Sequence, residues 1–145
     1  MSFTAKNPLF AIQVRNSFER QTAMSSIGAE LLIVEPGKVE IALPYRSDLT
    51  QQHGYLHAGI ITTIADTACG YAAYTLMPAG SEVLSVEFKV NLLRPAKGER
   101  FVAVANVLKP GRTLTVVRAD VFGISESDER ELIATMLATM ICLPK

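Results

Sequence analysis

Residues His57 to Leu76 read HAGIITTIADTACGYAAYTL and contain a single formal charge, at Asp66. Ala, Ile and Leu dominate this run, and Pro78 follows shortly after it. A long apolar run that ends near a proline predicts a helix. A helix that is apolar on all sides in a soluble protein is surrounded by other structure. The segment therefore predicts one long central helix.

A membrane span is the first alternative for this segment. It also holds four threonines, and its charge lies near its middle. A charged side chain at the centre of a bilayer costs at least about 2.5 kcal/mol. The rest of the chain has the pattern of ordinary strands, so we expect no membrane association.

The flanking sequence predicts a short helix and a sheet. Mixed apolar and charged residues from Pro8 to about Ala23 predict an amphipathic N-terminal helix. Short turns containing Gly or Pro separate most of the strand-like runs, which favours an antiparallel meander. The predicted strands are residues 29–34, 39–43, 83–93, 101–108, 114–121 and 132–143.

A curled antiparallel sheet and an apolar helix can bury one another. We therefore expect an α+β fold in one domain, residues 1–145, with about six strands wrapped around one long central helix. A sheet covers only part of such a helix, so a second copy of the chain is the simplest way to cover the rest.

The run 83–93 alternates clearly between apolar and polar residues. A strict period of two places Leu84, Val86, Phe88, Val90 and Leu92 on one face. Ser85, Glu87, Lys89 and Asn91 are then expected on the other face.

Composition excludes several classes of protein. The formal net charge is zero, which argues against a general nucleic-acid binder. Cys69 and Cys142 form no CxxC pair and no metal-like cluster with His53 and His57, so we expect reduced thiols, no disulfide and no metal. The N-terminus lacks a basic segment followed by an apolar run, and we expect a cytoplasmic location.

Asp66 is the first candidate for chemistry. An ionised carboxylate in an apolar interior costs several kcal/mol unless it is paired or hydrogen-bonded, and the predicted helix carries no Lys or Arg. Two interpretations stay open. In the first, the carboxylate has only a structural role and is satisfied by a polar interface or by hydroxyls such as those of Thr62, Thr63 and Thr67. In the second, which we favour, Asp66 has a functional role.

The start of the helix is the second candidate. The amides of Ala58 and Gly59 follow His57 and have no partner within an ideal helix, so they suit a developing negative charge. Gly59 also permits close approach of a ligand. His57 either takes part or only orders the loop. Gln51 could donate a hydrogen bond to a carbonyl, or be a solvated loop residue.

The spacing of the two candidates limits how they can cooperate. Asp66 lies nine residues after His57, which in a helix is a half-integral number of turns and about 13.5 Å of rise. The two residues are therefore on opposite faces and far apart. If both act on one substrate, the site must combine the helix start of one subunit with Asp66 of another.

The stretch QQHGYLHAGIITTIADTA, residues 51–68, resembles the hot-dog-fold acyl-CoA thioesterases, particularly the PaaI-like group. That group has an Asn or Gln, then G-x-x-H-G-G, then an Asp nine residues after the His. Gly54, His57, Gly59 and Asp66 are in register with it. SVEFKVNLLRPAKG, residues 85–98, resembles the family's strand with its P-x-x-G turn. Residues 111–113 resemble the next hairpin.

The resemblance implies catalytic roles. Asp66 acts as nucleophile on a thioester or as general base toward water. The Ala58 amide polarises the carbonyl, Gln51 assists from the partner side, and His57 orders the loop. The resemblance also gives Ser85 a role, that of positioning the attacking water.

The resemblance further implies how the substrate is held. The CoA phosphates meet basic groups near the hairpins, with Arg112 as the main candidate and Lys89 and Arg94 as weaker ones. We count Gly54, Tyr55, Gly111 and Thr113 with the substrate-binding residues. No cofactor is implied, because CoA is part of the substrate. The expected tunnel wall for the acyl group is Tyr55, Leu56, Ile60, Tyr71, Tyr74 and Phe88.

The family assembles as dimers that often pair into tetramers, and we expect a homo-oligomer of this kind. Two departures from its pattern occur: Ala58 replaces the first glycine of HGG, and Gln51 stands where many members have Asn. Two other functions stay open. One is a hot-dog dehydratase or hydratase, although the spacing of His57 and Asp66 fits a thioesterase better. The other is an acyl-CoA-binding module without catalysis.

Overall fold

The computed structural model describes residues 2–145 and contains three α-helices and six strands. The helices are α1 (Phe10–Arg20), α2 (Thr22–Ile27) and α3 (Ala58–Tyr74), and a short 3₁₀ turn spans Ser47–Leu49. The strands are β1 (Glu30–Glu35), β2 (Lys38–Pro44), β3 (Glu82–Leu92), β4 (Arg100–Lys109), β5 (Leu114–Ile124) and β6 (Arg130–Leu143).

The six strands form one antiparallel sheet in the order β1-β2-β4-β5-β6-β3. The sheet wraps α3, which contacts β2 to β6. The predicted α+β fold, with a sheet around one long central helix and a short N-terminal helix, is confirmed. Within residues 2–145, no helix combines the length and the apolar character needed to cross a membrane.

The core forms where α3 lies in the curved sheet. The helix contributes small buried residues, among them Ala65, Ala68 and Ala72, which let the sheet approach closely. The sheet contributes larger ones such as Phe101 and Met136. Full burial of a large apolar side chain stabilises a fold by roughly 1.5–3 kcal/mol, so this helix–sheet contact is the main source of stability.

The single N-terminal helix predicted for Pro8 to Ala23 is two helices. The break falls at Gln21, whose backbone is extended (φ −83°, ψ 91°). Helix α1 packs against α3, since Ser17 of α1 bonds to Tyr71, and Gln21 at the break bonds to Thr67 and Tyr71. The chain's own N-terminus therefore covers part of the helix surface that we had assigned to a second copy.

Strand β3 is an edge strand with a β-bulge near its start. Ser85 pairs with Met140 and Phe88 pairs with Ala138, and both partners are fully buried. Directly opposed residues in an antiparallel pair share a face, so Ser85 and Phe88 both face α3. The prediction that they lie on opposite faces is wrong, because the extra residue Val86 shifts the alternation.

Candidate active site

Asp66 lies in the middle of α3 and is half-buried. Its Oδ1 accepts a hydrogen bond from the Ser85 hydroxyl at 2.6 Å, a short distance typical of a charge-assisted bond. This is its only hydrogen bond within residues 2–145, and no Lys or Arg of that range forms an ion pair with it. Oδ2 is therefore available to a substrate or a water.

The nearby threonines satisfy other groups. Thr62 and Thr63 donate to the carbonyl oxygens of Ala58 and Gly59, one turn earlier in α3. Thr67 donates to the side-chain oxygen of Gln21. None of these hydroxyls reaches Asp66, so the interpretation in which they satisfy the carboxylate is wrong.

His57 is the residue that caps the start of α3. Its Nδ1 accepts a hydrogen bond from the Gly59 amide at 2.8 Å. A backbone N–H can only donate, so in the neutral ring the proton is on Nε2. A side chain at position 59 would bring Cβ within 3.0 Å of Nδ1, which explains the glycine. The expectation that the Gly59 amide is unpaired is wrong.

The Ala58 amide remains available at this helix start. Within residues 2–145 no acceptor takes its hydrogen. Ala58 lines a cavity of about 440 Å³, and the positive end of the helix dipole points the same way. The other lining residues are largely apolar and include Leu56, Ile61, Leu92, Leu93 and Ile133. One oxyanion donor therefore faces an apolar cavity.

Gln51 lines the same cavity. Its side-chain oxygen accepts from the amides of His53 at 2.6 Å and Tyr55 at 3.3 Å. Because both partners are donors, this atom must be the oxygen, and the –NH₂ is left to donate. Within residues 2–145 it donates to no partner. The loop thus orients Gln51 as a second donor near the Ala58 amide.

Asp66 and Ala58 do not meet within one protomer. They are eight residues apart in one regular helix, which separates them by about 12 Å along the axis and by about 80° around it. The cavity beside Ala58 does not include Asp66. The structure thus brings together Gln51, Tyr55, Ala58 and Arg94 at the helix start, and separately Asp66 with Ser85.

The predicted binding residues are spread over the fold. Arg94 lines the cavity near Ala58 but is paired with Glu131 at 2.9 Å. Lys89 pairs with the half-exposed Leu137, which places it on the outer face of the sheet. Gly111 and Arg112 line a different cavity, at the other end of α3. The carbonyl oxygen of Thr113 accepts from the Cys142 amide at 2.8 Å.

Two of the aromatic residues expected in an acyl tunnel are placed elsewhere. Tyr71 and Tyr74 are buried, and their hydroxyls bond to Gln21 and Gln13 of the N-terminal segment. Tyr55 does line the cavity beside Ala58. No local sequence pattern indicates this difference, because it depends on where α1 packs against α3.

Both cysteines are free and buried. Burial, and then the nearby charge of Asp66, raise the pKa of the Cys69 thiol far above its usual value, so this thiol is not a nucleophile. Among residues 2–145, no three His, Cys, Asp or Glu side chains are grouped so as to hold a metal ion.

Sequence reasoning missed one residue of the loop before α3. The Tyr45 hydroxyl donates to the carbonyl oxygen of Gly54 at 2.9 Å. Gly54 has a φ of +83°, which glycine adopts most easily. This contact fixes the turn that carries Gln51 and Tyr55. No spacing in the sequence indicates it, since Tyr45 directly follows β2 and lies nine residues before Gly54.

Comparisons with known proteins agree on one family. The family model described as the thioesterase superfamily matches residues 53–127. A thioesterase family protein from Silicibacter pomeroyi has a solved structure with 52% sequence identity and a TM-score of 0.92, covering 94% of this chain and 99% of that one.

Two further relatives are more distant. Acyl-coenzyme A thioesterase 13 of Homo sapiens is 33% identical over 91 residues, which are 62% of this chain and 64% of the human protein. The match therefore spans less than two thirds of that protein. The PaaI protein from the E. coli phenylacetic acid degradation operon has a TM-score of 0.79 at 18% identity, covering 91% of this chain and 92% of that one. It shares the fold.

Proposed function

The chain belongs to the thioesterase superfamily, and from this premise we propose that it hydrolyses an acyl-CoA thioester to CoA and a free carboxylic acid. Membership confirms the resemblance drawn from residues 51–68, and it confirms the enzyme class, thioester hydrolase, at the level of the family. The acyl-CoA substrate, the residue roles and the assembly below are our proposal.

One observation carries the proposal: α3 bears two incomplete halves of an acyl-transfer site. Oδ2 of Asp66 has no partner within residues 2–145, and the Ala58 amide is unpaired beside an apolar cavity. An unpaired donor costs free energy when it is kept from water, and a carbonyl oxygen of a substrate would satisfy it.

The two halves become one site in a dimer with antiparallel central helices. Asp66 of the partner subunit then lies beside the helix start of the first protomer. The free edge of β3 supports such pairing, since an unpaired edge strand is a template for another strand. Phe88 and Leu92, on the helix side of β3, are 42% and 56% exposed, and a partner would cover them.

The proposed chemistry follows from these positions. The Ala58 amide and the Gln51 –NH₂ donate to the thioester oxygen and stabilise the negative charge that develops on it. The carboxylate of Asp66 either attacks the carbonyl carbon directly or takes a proton from an attacking water. On the first route the CoA thiolate leaves, and water then hydrolyses the acyl–Asp66 anhydride, which releases the free acid, regenerates the carboxylate and supplies the proton that the thiolate takes up. On the second route the water oxygen bonds to the carbonyl carbon, the carbon–sulfur bond breaks, and the proton held by Asp66 passes to the CoA thiolate. The Ser85 hydroxyl donates to Oδ1, so Oδ2 is the oxygen that attacks the carbonyl carbon or takes the proton from water.

The two other functions are less well supported. A dehydratase or hydratase typically uses a histidine with an acid as its proton-transfer pair, whereas the spacing of His57 and Asp66 fits the thioesterase pattern better. A non-catalytic acyl-CoA-binding module would not need a carboxylate with one free oxygen. A dimer of dimers, a cytoplasmic location and independence of any cofactor stay predictions from the sequence.

The test is thiol release from a panel of phenylacetyl-, other aryl- and aliphatic CoA thioesters. We expect turnover of at least one class and loss of that turnover in Asp66→Asn. Tight binding of the whole panel without thiol release would favour the binding module. Full activity of Asp66→Asn would contradict the role of Asp66.

A further inference from the structure

Residues 51–55 form the tip of the loop that precedes α3, and this loop tip separates two cavities. Gln51 lines the cavity of about 440 Å³ beside the start of α3. Gly54 lines a neighbouring cavity of about 750 Å³. Residues 52–55 are exposed, so side-chain packing contributes little to holding the loop tip in place, and its position depends on hydrogen bonds.

Hydrogen bonds within the loop tip make it one unit. The Gln51 amide donates to the Tyr55 carbonyl oxygen at 2.9 Å, and the Gly54 amide donates to the Gln51 carbonyl oxygen at 3.0 Å. The Gln51 side-chain oxygen accepts from the amides of His53 and Tyr55. The direction of the Gln51 –NH₂ is therefore set by the position of the whole loop tip.

The loop tip is joined to the rest of the fold at its base and at one further point. At the base, the His57 amide donates to the Leu49 carbonyl oxygen at 2.9 Å. In the described part of the chain, one hydrogen bond reaches the loop tip itself from outside. It runs from the Tyr45 hydroxyl to the Gly54 carbonyl oxygen, at 2.9 Å.

Tyr45 is itself held in a fixed position. It directly follows β2, and its amide donates to the Glu99 carbonyl oxygen at 2.9 Å, which continues the pairing of β2 with β4. A tyrosine side chain has only two rotatable bonds, so little conformational entropy is lost in holding its hydroxyl at one place. Tyr45 can therefore transmit the position of the sheet to Gly54.

We propose that Tyr45 is a positioning residue for thioester hydrolysis, which acts through Gly54 to direct the Gln51 –NH₂ at the thioester oxygen. Donors stabilise a developing oxyanion well when they are already oriented, because no reorganisation is then needed during the reaction. A loop tip without its outside bond loses part of this orientation. The kinetic role rests on the proposed function, whereas the fixing of the loop tip by Tyr45 does not.

The first experiment is the variant Tyr45→Phe, which removes only the hydroxyl. The bond to Gly54 is exposed, so water satisfies the carbonyl oxygen without fixing its position, and the urea midpoint should stay near wild type. We expect kcat for the best CoA thioester to fall by about two- to tenfold, the value of one neutral hydrogen bond. KM should change little, because an oxyanion donor acts mainly in the transition state.

Thr50→Val is the matched control. The Thr50 hydroxyl also donates to an exposed backbone carbonyl of this loop, that of Ser47 at 2.7 Å, but it does not contact the loop tip. This variant should keep the kcat of wild type. Equal losses of kcat in Thr50→Val and Tyr45→Phe would overturn the specific role of Tyr45.

The second experiment is a double-mutant cycle with Gln51→Ala. Because Tyr45 is proposed to act through Gln51, Tyr45→Phe should cause no further loss of kcat in a chain that already carries Gln51→Ala. A merely structural role of Tyr45 would lower kcat by the same factor in both backgrounds, and that result would contradict the proposal.

The third experiment needs no turnover. Heteronuclear ¹H–¹⁵N NOE values of the backbone amides report motion on the picosecond to nanosecond timescale. They should fall at residues 51–55 in Tyr45→Phe and stay at the wild-type level in Thr50→Val. Unchanged values in Tyr45→Phe would overturn the inference whatever the activity. If wild type releases thiol from no CoA thioester, the proposed function and the kinetic role fail together, and this measurement alone decides whether Tyr45 holds the loop tip.

Discussion

Two polar clusters on α3 differ in how completely their hydrogen bonds are made. The first, which we call the docked cluster, joins Tyr71 and Tyr74 to the N-terminal segment. Gln21 and Ser17 both hydrogen-bond to the Tyr71 hydroxyl. The Tyr74 hydroxyl donates to the Ser81 carbonyl oxygen and accepts from the Gln13 side chain. The second is the pair Asp66–Ser85, in which the carboxylate has one bond.

The difference separates structural from functional polarity. Buried polar groups that are fully satisfied hold elements in place and specify their packing. A half-buried carboxylate with one partner and no cation leaves binding capacity unused. A polar residue within an apolar helix is therefore not by itself a sign of function. A polar atom that lacks a hydrogen-bond partner is the better sign.

Replacement of Asp66 by Asn should have the largest effect on activity. It removes the nucleophile or base while keeping size and the bond from Ser85, so we expect kcat/KM to fall by about 10²–10⁴-fold, the range for loss of acid–base catalysis. The unfolding midpoint should stay near wild type. Thiol-release kinetics and thermal denaturation measure the two quantities.

Asp120→Asn is the matched control for Asp66→Asn. Asp120 also accepts from a hydroxyl, that of Thr135, at 2.7 Å, but it lies on β5 and is paired with Arg118. Its replacement should leave thiol release unchanged. A similar loss of activity in both variants would mean that any buried-carboxylate change damages the enzyme, and the comparison would fail.

Replacement of Ser85 by Ala should have the next largest effect. The carboxylate keeps its charge but loses the hydrogen bond that fixes Oδ1, so we expect kcat to fall by about tenfold, the value of one bond to a charged group. KM should change little, because in the proposed mechanism Ser85 acts by holding Asp66. Thr135→Ala, which removes the corresponding donor from Asp120, should retain wild-type kcat; equal losses in both variants would contradict a role for Ser85.

Tyr71→Phe should affect stability instead of activity. It leaves Gln21 and Ser17 without their shared partner, so the free energy of unfolding should fall by about 1–2 kcal/mol. Urea denaturation measures the change, and kcat with the best substrate should stay within about twofold of wild type. A loss of activity at full stability would place the docked cluster in the active site.

The sequence predicts the fold well because periodicity is a local property. The central helix was predicted as 57–76 and spans Ala58–Tyr74, and each strand is found within a few residues of its predicted range. The break at Gln21 was missed because its cause is non-local: the side chain bonds to residues of α3 that are 46 and 50 positions away.

The candidate site was predictable only in part. The lone charge of the apolar run singled out Asp66, and helix geometry separated it from the helix start. The contact with Ser85 was not predictable, because strict alternation placed Ser85 on the face opposite to Phe88. The bulge at Val86 that reverses this depends on the pairing of β3 with β6, which local sequence does not encode.

The smallest expected effect is a pH dependence of stability at Tyr74. Burial raises the pKa of its hydroxyl above the ordinary value for tyrosine, and the bond from Gln13 partly opposes the shift. A raised pKa means that the folded state favours the neutral phenol. The contribution of Tyr74 to the free energy of unfolding is therefore complete below the unfolded-state pKa, about 10, and is lost as pH rises through the folded-state pKa. Urea midpoints from pH 8 to 11 should fall more steeply for wild type than for Tyr74→Phe, which cannot ionise. If the urea midpoints of the two proteins fall equally with pH, the docked cluster tolerates a charge on Tyr74. Complete hydrogen bonding would then no longer separate the docked cluster from the pair Asp66–Ser85.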